Sequence, residues 1–196
     1  MITNEINNHE TEIDTKVTYG MWVYILTDCI MFACLFASFV VLRENTYGSI
    51  GINDVATLPF VLVQTMIIIV ASFLFGLGYI QSKLVNKMGT IACLIMSFIM
   101  YGLFVFLQYN SLESLVLAGY TWKTSGFLSI YFIITVMFAV HVVAALIWSA
   151  VLAIQMAYAG VSVRMSVRMR CLNLYCNYLT LIWVFIFTIV YLMRSI

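Results

Sequence analysis

Residues Met21 to Leu42 read MWVYILTDCIMFACLFASFVVL, with Asp28 as the only charged side chain. A helix needs about 20 apolar residues to cross roughly 30 Å of hydrocarbon, and this stretch supplies them. A carboxylate at the centre of a bilayer costs about 2.5–3.5 kcal/mol, so an acid in that position requires a partner or a purpose. Every other Lys, Arg, Asp and Glu of the chain falls in a polar flank or a break between apolar stretches.

Working outward, four more apolar stretches lie near residues 58–82, 90–109, 126–153 and 174–193. The composition agrees: 64% of the 196 residues are hydrophobic, 9% are charged, and the mean hydropathy is +1.07. Soluble domains are roughly half apolar, so the chain reads as an all-α integral membrane protein, a bundle of five transmembrane helices. The only proline, Pro59, sits in the first turn of the second stretch, where its missing N–H is harmless, and no interior kink is expected. Residues 1–20 read as a polar cytoplasmic tail and 21–196 as a single five-helix domain. The tail is acidic rather than basic and is followed by an apolar run too long for a signal-peptide core, so the first helix is expected to be retained.

With five spans, Lys16, Lys83, Lys87, Arg164, Arg168 and Arg170 fall on one side and Arg43, Lys123 and Arg194 on the other. The positive-inside rule places the N-terminus in the cytoplasm and the C-terminus outside. A net charge of +1 offers no concentrated basic face for nucleic acid.

Redox chemistry within membrane helices demands several inward-facing ligands, and only His141 lies inside a span. The chain is therefore expected to hold no metal or haem by itself. His141 reads as a packed histidine bonded to a hydroxyl or carbonyl; its alternative is one ligand to a cofactor shared with a neighbour. His9 reads as exposed in the tail. Cys29 and Cys34, like Cys171 and Cys176, are five residues apart, roughly 140° around a helix, too divergent for one metal, and Cys93 stands apart. All five read as small apolar residues. Methionines and tryptophans scatter without ligand spacing and read as packing and interface anchors. Small-residue pairs, Ala33 with Ala37, Ser72 with Gly76 and Ala145 with Ser149, permit close helix contact. Gln64 and Gln108 read as polar glue between helices, worth about 0.6–2 kcal/mol per bond. Arg164, Arg168 and Arg170 read first as a positive-inside anchor and secondly as a weak site for anionic lipid head groups.

Several segments together resemble one family. WVYILTDCIMF at Trp22–Phe32, LPFVLVQT at Leu58–Thr65, SGFLS at Ser125–Ser129, HVVAALIW at His141–Trp148 and IWVFIFTIVYLM at Ile182–Met193 resemble, in order, subunit III of haem–copper terminal oxidases. The resemblance is strongest to the five-helix form of bacterial bo-type ubiquinol oxidases. It implies an accessory subunit in the bacterial cytoplasmic (inner) membrane, without haem or copper of its own. Such a subunit packs beside the catalytic subunit I, binds phospholipids and supports turnover and proton uptake. Haem, copper and ubiquinol would belong to the partner subunits. It also implies an acid at the position of Asp28.

The chain departs from that pattern at three places. The family's H-G-L-H is Phe138 to His141 here, with only the second histidine kept; its W-H-F-x-D is Cys176 to Thr180, without histidine or aspartate; and carboxylates of quinol-oxidase relatives are replaced by Gln64 and Gln108. An ion pair lost whole is tolerated better than one broken, so these losses favour a chiefly structural role. For Asp28 itself, a structural hydrogen bond and proton handling stay equally open. Outside this reading stand subunit III of a cytochrome c oxidase, an autonomous transporter and an assembly protein; a transporter would show internal repeats or several intramembrane charges, which the sequence lacks.

Overall fold

The computed structural model describes residues 2–43, 45, 58–84, 86–159 and 163–192, and the side chains of 15–43, 45, 58–84, 86–158 and 165–192. Five helices follow one another: α1 (Ile2–Leu42), α2 (Leu58–Lys83), α3 (Lys87–Leu117), α4 (Gly126–Ala159) and α5 (Val163–Ile186), the last continuing as a π-helical segment, Phe187–Leu192. No strand occurs among the described residues. Each helix contains a stretch long and apolar enough to cross a membrane: Thr15–Leu42, Leu58–Lys83, Lys87–Leu117, Gly126–Tyr158 and Met165–Leu192.

The helices outrun the apolar stretches that predict them. α1 passes without a break through the polar residues before Met21, α3 continues through Tyr109 to Leu117, and α5 already includes the arginine-bearing segment expected as a loop. Hydropathy marks only the part that lipid must surround, whereas a helix ends where its backbone finds a cap. At the start of α3, Asn86 is the N-cap, with φ −86° and ψ 92°, and its side chain accepts from the Gly89 N–H at 3.3 Å. A Cβ on Gly89 would lie 3.0 Å from the Asn86 amide nitrogen, so a larger residue there would push the capping side chain aside. Beyond the far end of α3, Gly119 turns the chain with φ +86°, a conformation that favours glycine.

α2, α3, α4 and α5 form a four-helix square in which each packs on its two neighbours, and α1 lies against α4 and α5. At the centre of the square each helix contributes one side chain. The Trp183 indole of α5 meets Phe104 of α3 edge-on at 4.7 Å between centroids and Phe138 of α4 at 5.2 Å. Its Nε1–H donates to the Thr65 hydroxyl of α2 at 3.0 Å. Trp183, Phe104 and Phe138 are at most 1% exposed. Trp183 therefore belongs to the core, not to the interface role expected for the tryptophans, while Trp22 and Trp122 are exposed as anchors would be.

α2 and α3 approach closely at Gly78, where an added Cβ would stand 3.2 Å from the Cβ of Cys93. Ser97 uses the same closeness to donate to the Ala71 carbonyl at 2.8 Å. Ala145 and Ser149 are buried as their spacing predicts, but Ala33 and Ala37 are exposed on α1 and mediate no packing among the described residues. Their neighbours Phe32 and Phe39 occupy the face that α1 turns inward. In the π-helical segment, Tyr191 is buried with its hydroxyl 3.0 Å from that of Tyr131 on α4.

Trp183→Ala is expected to destabilise this chain by about 3–5 kcal/mol through the cavity it leaves. Trp183→Phe, which loses chiefly the N–H bond, should cost about 1–3 kcal/mol. Thermal unfolding in detergent checks both; equal losses would mean that the hydrogen bond to Thr65 outweighs the packing.

Candidate functional site: an intramembrane acid–imidazole pair

Tyr24, Asp28 and Phe32 are spaced by four, so they lie on one face of α1. That face meets α4 at His141. The Asp28 Oδ2 stands 3.5 Å from His141 Nε2, both side chains being about nine-tenths buried. The ring of Phe32 meets the imidazole edge-on, at 5.4 Å between centroids. On its other side, His141 Nδ1 is 2.8 Å from the carbonyl oxygen of Met137, one turn back along α4. The sequence singles out Asp28 and His141 separately; the structure brings them together.

The Met137 carbonyl decides where protons can sit. A carbonyl only accepts, so Nδ1 must carry the hydrogen, and Nε2 of a neutral ring then presents a lone pair to Asp28. A carboxylate there would set acceptor against acceptor. A direct hydrogen bond between the two would require a neutral acid facing a neutral imidazole or a carboxylate facing an imidazolium. At 3.5 Å the contact is longer than a normal hydrogen bond, and Oδ2 makes none.

The sequence reading misses the tyrosines around this pair. The hydroxyls of Tyr24 on α1 and of Tyr175 and Tyr178 on α5 all lie within electrostatic reach of Asp28. Tyr175 also donates to the His141 carbonyl at 3.4 Å, and its ring neighbours those of Tyr24, Tyr178 and Trp148 at 6.0–6.3 Å. Tyr178 Oη is buried without a hydrogen bond. The signal was present: Tyr175 and Tyr178 sit three apart on one face of α5, as Tyr24 and Asp28 sit four apart on α1.

Gln64 and Gln108, expected as polar glue between helices, lie deep in the bundle. Both are 2% exposed, and among the described residues Gln64 Nε2 and Gln108 Oε1 have no hydrogen-bond partner. Hydroxyls tie helices in the bundle: Thr65 accepts from the Trp183 Nε1–H, and Ser97 donates to the Ala71 carbonyl.

A family model described as cytochrome c oxidase subunit III matches residues 2–195. The chain belongs to the subunit III family of these oxidases. It is 34% identical to the cytochrome bo(3) ubiquinol oxidase subunit 3 of Pseudomonas aeruginosa over 97% of this chain and 91% of that one. It is 26% identical to the quinol oxidase subunit 3 of Bacillus subtilis over 97% and 94%. With the cytochrome c oxidase subunit 3 of Bacillus sp. PS3 it shares 27% over 90% and 86%.

In this subunit III chain the arginines bridge helices. Arg168 donates to Gln155 Oε1 of α4 at 2.7 Å, and Arg170 to the Thr18 hydroxyl of α1 at 2.6 Å. The side chains of Arg164 and His9 lie outside the described residues. Cys29, Cys34, Cys93, Cys171 and Cys176 are free thiols. Among the described residues, no three of His, Cys, Asp and Glu are grouped to hold a metal.

Asp28→Asn should preserve the site, since the amide N–H can donate to Nε2 as a protonated carboxyl does. Asp28→Leu should leave Nε2 buried without a partner at a cost of about 1–3 kcal/mol. Infrared difference spectra distinguish the proton's position: a protonated-carboxyl band that vanishes in Asp28→Asn is expected for the neutral pair, and its absence from the parent protein would assign the charged one.

Proposed function

We propose that this chain is the accessory, non-redox subunit III of a bo-type ubiquinol oxidase in a bacterial inner membrane. The observation that carries the reading is the family match over residues 2–195. The ubiquinol branch is supported by the bo(3) relative at 34% identity, above the 27% shared with a cytochrome c oxidase subunit 3. On this reading, subunit I and its companions carry haem and copper and bind ubiquinol, and phospholipids fill the clefts of the bundle. The Lys and Arg distribution supports a cytoplasmic N-terminus and an external C-terminus.

Within that complex, we assign the Asp28–His141 pair to proton handling as well as to packing. Support comes from its geometry. Two groups that can each hold a proton, Asp28 Oδ2 and His141 Nε2, face each other at 3.5 Å in a span that is otherwise without charge. The Tyr24 hydroxyl lies one turn towards the N-terminal end of α1, where the positive-inside rule puts the cytoplasm. A proton arriving from that side meets Tyr24 before Asp28. Gln64 and Gln108, which cannot exchange protons at physiological pH, hold the interior of the square polar but proton-silent.

Purification through a tag on this chain should recover a haem-bearing complex with quinol oxidase activity; recovery without haem would sink the assignment. In that complex reconstituted into vesicles, Asp28→Asn is expected to assemble normally while turnover and protons moved per electron both fall. Unchanged values would reduce the pair to a packing element.

A further inference from the structure

A cavity leads towards the acid–imidazole pair from the end of the bundle where α1 begins. It measures about 230 Å³ and lies between α1, α4 and α5, walled by Gly20 and Tyr24, by Trp148, and by Arg168 and Cys171. Arg168 stands three residues inside the span that starts at Met165, is exposed, and donates to Gln155 Oε1. Holding a guanidinium against hydrocarbon is costly, so its head sets the mouth of the cavity at the level of water rather than of acyl chains. At about 30 Å³ per molecule, the space holds several waters. Tyr24 lies deeper, nine residues inside the span that starts at Thr15, or about 14 Å along the helix. Asp28 is faced by His141 of α4, by Tyr24 of its own helix and by Tyr175 and Tyr178 of α5. Of these four, His141, Tyr175 and Tyr178 are buried, and Tyr24, 45% exposed, alone lines the cavity.

On its other side the pair is closed off by aromatic rings. Phe32 of α1 and Phe138 of α4 follow within one turn, then Phe39 and Phe127, and all four are at most 1% exposed. Past these rings the Tyr131 hydroxyl lies 3.0 Å from that of Tyr191 and within reach of Thr135. Tyr131 is ten residues from His141 on α4, about 15 Å away. We infer that the cavity is a blind, water-filled vestibule and the single route by which the Asp28–His141 pair exchanges protons, with Tyr24 as the relay at its inner end. In each exchange the Tyr24 oxygen takes a proton from water as its own O–H proton passes to Asp28, and the reverse steps unload the pair. The pair thus fills and empties from one side, and this chain conducts no proton across the membrane. The inference deepens the proton-handling role proposed above and rests on it.

Gly20 gives the test. An added Cβ there meets nothing within 4 Å, so a larger side chain enters the vestibule without disturbing the pair. Hydrogen–deuterium exchange is followed in the purified complex through the infrared bands that Asp28→Asn and His141→Gln remove. Gly20→Leu is expected to slow that exchange by about 10-fold or more, and Gly20→Ala, a smaller step into the same space, by less. Tyr24→Phe, which leaves the vestibule open but removes the relay, should slow it as well. Gly102→Leu on α3, where an added Cβ also meets nothing within 4 Å, should leave it unchanged. Exchange at the parent rate in Gly20→Leu, or equal slowing in Gly102→Leu, overturns the vestibule. Slowed exchange with unchanged turnover and protons per electron keeps the vestibule and discards the proton-handling role. Unchanged exchange beside lowered turnover in Asp28→Asn does the reverse.

Discussion

Hydrocarbon surrounds leucine as readily as another helix does, so apolar surface by itself cannot choose one arrangement of five helices over another. The choice falls to shape and to the few polar groups that must find each other. In this chain the Trp183 indole does both. Its ring fills the space between Phe104 and Phe138, and its N–H reaches Thr65, so α2, α3, α4 and α5 are all held by one side chain. The close approach at Gly78 and the Ser97 bond then set how α2 and α3 lie against each other.

α1 stands apart from that square, and its span is the least buried of the five. What it offers α4 is a stripe of Tyr24, Asp28, Phe32 and Phe39, with the carboxyl placed opposite an imidazole whose orientation its own helix has already fixed through Met137. An acid and a base buried together repay their desolvation only with good geometry. At 3.5 Å that contact is longer than a normal hydrogen bond, so it ties α1 to α4 only loosely.

The five spans were legible because hydropathy and the need to satisfy backbone groups act along the chain, one residue after the next. Asp28 and His141 were legible as polar residues in apolar runs. Their meeting was not, because it depends on which faces of α1 and α4 turn towards each other, and neither helix has a strongly one-sided pattern when lipid and protein are both apolar. The same reason hid Trp183, which reads like any membrane tryptophan until three aromatic and hydroxyl neighbours close around it. Gln64 and Gln108 were read from residue type, whereas bonding depends on how near the backbones come. Family resemblance supplied the oxidase context, and the family match over residues 2–195 sustains it.

The separation of Asp28 from His141 along the chain has a consequence for biogenesis. Ribosomes deliver α1 to the membrane before α2, α3 and α4 have been made, so the aspartate enters the bilayer with no imidazole awaiting it. During that interval the cost of its polarity, about 2.5–3.5 kcal/mol if charged, is set against the apolar side chains of its own helix alone. The length and uniform greasiness of Met21–Leu42 thus serve insertion first, and only afterwards the finished bundle.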